Sequence, residues 1–157
     1  GLTRNRADSW FYSRKIKALK QFNIASFDII AFPVEHDAVE PVGFLIQSSL
    51  TGAKLIYATD TYYIKYRFKR ITHLLIECNY VSENLKENIK SKSINSLYGK
   101  RVYQSHMSLE TLKNFILSLE DSQLQEIHLI HLSDNNSDEE RIRKEIRQLT
   151  GAAVFVH

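Results

Sequence analysis

Cysteine occurs once, as Cys78. One thiol excludes an intramolecular disulfide and a cysteine zinc cluster, so any metal would have to be held by histidines and carboxylates. Glycine (5) and proline (2) are scarce, and no repeat, low-complexity tract or linker divides the chain, so a single domain is expected over residues 1–157. No run of about 18 apolar residues is present, which argues against a membrane-spanning helix. The opening stretch, GLTRNRAD, lacks the apolar core of a signal peptide, which makes a cytoplasmic location the expectation. Charge of one sign is also lacking: 21 Lys and Arg face 18 Asp and Glu. That balance permits an anionic substrate without specifying nucleic acid.

What is present is a recurring pattern. Ala53 to Asp60 (AKLIYATD) is a short apolar run ending in an acid. Asp28 to His36 ends in His, Leu74 to Glu77 in Glu, and Glu126 to His131 in His, while His106 opens an HMSLE segment. These are residue types that bind metals or exchange protons, at the ends of successive expected strands. In a layered α/β domain such ends converge on one rim, where ligands bind. Taken singly, a lone acid or histidine after a strand is usually a solvated loop residue, but five together are less easily dismissed.

The periodicity predicts strands at Lys15 to Lys20, Ser26 to Val34, Gly43 to Gln47, Ala53 to Asp60, Thr72 to Glu77, Glu126 to His131 and Ala152 to Val156, with a hairpin turn at Thr51-Gly52. Helices are expected at Ser82 to Ile94, at Ser108 to Leu119 with Ser108 as N-cap, and at Glu139 to Leu149 with Gly151 as the stop. Ala7 to Ser13 reads as one or two helical turns. Tyr62 to Arg70 interleaves tyrosines with basic residues. Such a segment can stack bases and hold phosphates, or serve as an amphipathic connector. His128 is expected in the core or against a helix, His73 and His157 at the surface, and Cys78 as a small buried hydrophobe.

Imidazole and carboxylate are the donors zinc or manganese would take in a site without thiolates, and His36, Asp60 and His131 fit that inventory. His106, alone or with Glu77, is placed to serve as a general acid. No tight H-x-H or H-E-x-x-H motif occurs.

The ordered segments EHDAVEPVGFLI, LIYATDT, LLIECNY, SHMSLE and LIHLSDNN resemble the C-terminal part of the metallo-β-lactamase fold, in its ribonuclease Z-like and single-domain phosphodiesterase/nuclease branch. The resemblance runs from about Lys15 to the C-terminus. It implies an α/β fold, the C-terminal half to two-thirds of an αββα sandwich, with a two-metal site (zinc or manganese) at the sheet rim. It implies that His36 ligates one metal, that Asp60 bridges the two and that His131 ligates the second, while Glu77 and His106 act together on the leaving-group proton. The implied activity is phosphodiester hydrolysis on RNA, DNA or a cyclic nucleotide by a metal-activated hydroxide. The alternatives are an inactive interaction module of the same fold, or a hydrolase of another ester or amide.

One departure stands out: the family's H-x-H-x-D-H motif, which supplies most of its metal ligands, is nowhere in this sequence. The expectation is therefore of an incomplete domain. Its strands around Ile29, Phe32, Leu45 and Ile56 should be left uncovered on one face, to be met by an N-terminal segment carrying that motif or by a second copy of the chain.

Overall fold

The computed structural model describes residues 15–157. The helical turns expected at Ala7 to Ser13 lie outside the described residues. A seven-stranded sheet in sequence order is built from β1 (Gln21–Ile24), β2 (Phe27–Pro33), β3 (Val42–Ser48), β4 (Lys54–Ala58), β5 (His73–Glu77), β6 (Glu126–Ile130) and β7 (Ala153–Val156). β1 to β4 pair antiparallel, and β4 to β7 pair parallel. Helices α1 (Ser82–Lys90), α2 (Ser96–Ser105) and α3 (Leu109–Leu117) connect β5 to β6, and α4 (Glu139–Thr150) connects β6 to β7.

Local chemistry explains most boundaries. Ser108 caps α3 by accepting from the Thr111 amide, and Asp138 caps α4 by accepting from Arg141, each satisfying a donor the first helical turn leaves free. Gly151 ends α4 in the left-handed conformation at φ 70°. The strand expected at Lys15 to Lys20 is corrected: Lys20 N donates back to Lys17 O and Leu19 has φ 61°, so the segment turns, and the first strand begins at Gln21. Helix α2 was not foreseen. Asn95 caps it through the Leu97 amide, and Gly99 lets it lie against Ile89, since a Cβ there would come within 2.4 Å of Ile89 Cδ1.

The period of two along each strand sorts the sheet into unlike faces. Phe32, Ile56, Leu74, Ile76, Ile127 and Leu129 point to one side and pack with Leu109, Leu112, Phe115, Ile142 and Ile146 of α3 and α4. Ile64, Phe68 and Ile71, from the helix-free link between β4 and β5, complete that core. In the Tyr62 to Arg70 segment Ile64 and Phe68 are buried, as in an amphipathic connector, while Tyr62 and Tyr63 stay exposed. The opposite face carries no helix among the described residues. On it Phe27, Ile46, Leu55 and Leu75, with His73 and His128, line a shallow groove of about 370 Å³.

Among the described residues an apolar face is therefore left uncovered, but its composition differs from expectation. Phe32 and Ile56 are buried beneath the helices and Leu45 packs against the same core, leaving only Ile29 of the four on the open side. His128 is corrected as well. Its neighbour Leu129 takes the core position, so His128 lies on the open face, stacked on Phe155 and bonded to His157 at 2.9 Å. Cys78 is fully buried, and burial pushes its thiol pKa well up, as befits a small core residue.

Candidate metal centre

Three of the candidate residues stand at the carboxyl ends of adjacent parallel strands. Asp60 lies two residues beyond β4, Glu77 is the last residue of β5, and His131 directly follows β6. Asp60 and His131 both adopt left-handed backbone, at φ 50° and 61°, a region Asp and His enter more readily than most residues. His131 is held there by Asn79, whose Nδ2 donates to its carbonyl at 2.7 Å. His106 arrives from the other direction, at the C-terminus of α2. The chain after it is laced to the extension of β5: Asn79 N donates to Met107 O and Leu109 N to Tyr80 O, which sets His106 beside Glu77.

Glu77 organises the group. Its side chain is 0% exposed, against 22% for His106 and 44% for His131. Oε1 lies 2.6 Å from His106 Nδ1 and 2.9 Å from His131 Nδ1, while Oε2 accepts from the Thr61 amide at 2.9 Å. A carboxylate oxygen only accepts, so each ring carries its proton on Nδ1 and keeps a lone pair at Nε2. This is the tautomer that carboxylate–histidine–metal arrangements impose on a ligand.

One donor atom from each of Asp60, His106 and His131 lies within 4.8 Å of the others, with His131 Nε2 and Asp60 Oδ1 3.8 Å apart. The residues present therefore fit a divalent cation. His131 Nε2 faces the Asp60 carboxylate with the His106 ring beside them, and two imidazoles with a carboxylate are a ligand set that a divalent cation would take. The hydrogen bond to Glu77 raises the His106 pKa above its ordinary value of 6.5, with partial burial opposing and the charges of Glu77, Asp60 and Asp37 adding to the rise.

His36 does not join the group. Its ring centroid lies 6.0 Å from that of His106. The Ala38 amide donates to His36 Nδ1 at 3.0 Å, so that nitrogen is an acceptor and the proton sits on Nε2, the opposite tautomer to His106 and His131. Asp37 Oδ1, 3.1 Å from the same nitrogen, is a neighbour and not a second hydrogen-bond partner. The structure thus gathers Asp60, His106, His131 and Glu77, and leaves His36 beside them.

Two supporting residues were not singled out from the sequence, Thr61 and Asn79. Thr61 is fully buried, and its hydroxyl lies 3.1 Å from Glu35 O and 3.0 Å from Tyr63 O, pinning the turn after Asp60. The only signal for either is a polar residue placed where an apolar strand ends, in TDT and in ECNY.

No protein-family model and no curated protein matches the sequence. Solved structures do. The metallo-beta-lactamase fold protein YhfI from Bacillus subtilis superposes with a TM-score of 0.64 at 14% identity, over 98% of this chain and 59% of its own. The chain has the metallo-β-lactamase fold. Unliganded yeast PDE1 is also similar, with a TM-score of 0.57 at 13% identity over 90% of this chain and 47% of that one. The chain thus spans roughly half to three-fifths of the length of these two structures. In αββα terms, the described residues supply one helix layer and one sheet.

Proposed function

We propose that this chain forms part of a metal-dependent hydrolase that cleaves phosphodiester bonds. The observation that carries the reading is the double hydrogen bond of Glu77, which orients two imidazoles beside the Asp60 carboxylate at the carboxyl edge of the sheet. Asp60, His106 and His131 would hold one divalent ion, zinc or manganese. Such an ion supplies Lewis acidity, acidifying water and offsetting the negative charge of a phosphodiester. Glu77 is too deeply buried to reach a substrate, so its part is to orient His106 and His131. Residue types and the mild positive charge suit an RNA, DNA or cyclic-nucleotide substrate, and the likeness to PDE1, a phosphodiesterase by its name, points the same way.

Three donors suffice for one ion with an open position. A second ion needs further donors, for which His36 is the neighbouring candidate once its bond to Ala38 N is released. The remainder would come from another polypeptide layer seated on the open sheet face, either a preceding segment with an H-x-H-x-D-H motif or a second copy. Zinc titration of this chain, followed by bis(p-nitrophenyl) phosphate hydrolysis by the complete protein and its Asp60→Ala variant, tests the reading. Zinc binding and hydrolysis that both fall in Asp60→Ala support it. Hydrolysis that survives unchanged removes Asp60 from the site and overturns it.

A further inference from the structure

The last strand ends the sheet without a neighbour among the described residues. Ala153 N donates to Gln125 O and His157 N to Leu129 O, so residues 153, 155 and 157 turn their backbone groups towards β6. By alternation Val154 and Val156 turn theirs outward. The strand AVFV carries neither a charge nor a proline, the devices that usually blunt a free edge. Alongside it runs a groove of about 690 Å³ between β7 and α4, walled by Arg143, Lys144 and Arg147 on one side and by Val154 and Phe155 on the other. Glu140 is the single acid in its lining. Arg143 pairs with Glu139, while Lys144 and Arg147 make no ion pair among the described residues.

We infer that the β7 edge and the basic wall of α4 form a docking site for an acidic extended segment of another protein, which would add to the sheet as an eighth strand. Its backbone would pair with the outward groups of Val154 and Val156, which gives affinity without dictating sequence. Alternate side chains would face opposite sides. Acidic ones would meet Arg143, Lys144 and Arg147, and apolar ones would cover Phe155, which is 44% exposed. Charge also argues against a second copy as the occupant. Antiparallel pairing of two β7 strands about a two-fold axis would set two α4 helices side by side on one face, bringing like charges together. The site stands apart from the Asp60, His106 and His131 group and does not depend on the hydrolase reading.

The test is fluorescence anisotropy on the full 157-residue chain with labelled eight-residue peptides. One peptide alternates Val with Glu, one alternates Val with Lys, and one is the Val-Glu peptide N-methylated at every residue, which keeps its charges but has no backbone N–H on either edge to pair as a strand. Only the unmethylated Val-Glu peptide should bind, its affinity should fall steeply in about 0.5 M salt, and Lys144→Glu with Arg147→Glu should weaken it by about tenfold or more. Equal binding of the Val-Lys or the methylated peptide overturns the proposal. So does binding indifferent to the charge reversals, or self-association of the chain that blocks the peptide.

Discussion

Oε1 of Glu77 lies 2.6 Å from Nδ1 of His106, a contact between a fully buried carboxylate and a part-exposed imidazole. The same oxygen serves His131, so one buried group sets two ring tautomers. Glu77→Gln keeps the shape but places an amide, half donor and half acceptor, where Thr61 N and two imidazoles all donate. Zinc affinity of the chain, read by competition with a chromophoric chelator, should fall by about 10- to 100-fold, as for other partners of ligating histidines. Unchanged affinity in a folded Glu77→Gln protein would sever Glu77 from the site.

The raised pKa of His106 has a defined sign in stability. A group whose folded pKa lies above its unfolded value stabilises fully below the unfolded value and loses that contribution as pH rises through the folded one. In metal-free protein, the stability gap between the wild type and His106→Gln should therefore be widest below about pH 6.5 and shrink towards alkaline pH. Urea melts of both proteins across pH 5.5 to 9 measure it, and a gap that widens with pH contradicts the Glu77 contact as its source. Zinc affinity should run the other way, rising with pH as the proton leaves.

His106→Ala in the complete protein separates two roles for that ring. As a metal ligand it takes zinc stoichiometry down with it. As a proton donor alone, its loss lowers turnover by about 10² to 10⁴ with metal content intact. The closeness of a His106 ring nitrogen to the ligand atoms of Asp60 and His131, within 4.8 Å, favours the first outcome, and elemental analysis of the purified variant decides between them.

The unlike faces of the sheet predict unlike costs. Ile56→Ala, beneath the helices, should destabilise by about 2–5 kcal/mol, whereas Ile46→Ala on the open face should cost well under half of that. Comparable losses in denaturant midpoint would mean the open face is covered in solution.

Gly43 is a packing glycine. A Cβ there would stand 2.6 Å from the Phe32 ring and 2.9 Å from Tyr57 O, so Gly43→Ala should destabilise by about 1–3 kcal/mol through overpacking. Thermal unfolding checks it, and a neutral result would show that Phe32 moves aside freely.

Much of this molecule is legible in residue order. The apolar runs from Phe27 to Pro33 and from Lys54 to Ala58, the Ser108 cap with its apolar stripe through Ile116, and the span of α4 between Asp138 and Gly151 are local signals, written within a few residues of where they act. So is the placing of Asp60, Glu77 and His131 at strand ends. Helix α2 was harder to see, because its polar surface and internal Gly99 weaken the periodic signal, and only contact with Ile89 makes that glycine useful. Tertiary structure alone decided the rest. A period of two separates Ile29 from Phe32 but cannot say which face the helices cover, since that depends on where α3 and α4 return to the sheet. Nor can residue types tell that His106 joins Asp60 and His131 while His36 stands aside. An imidazole's lone pair points where its other nitrogen's partner allows, and that partner, Glu77, lies 29 residues from His106 and 54 from His131 along the chain.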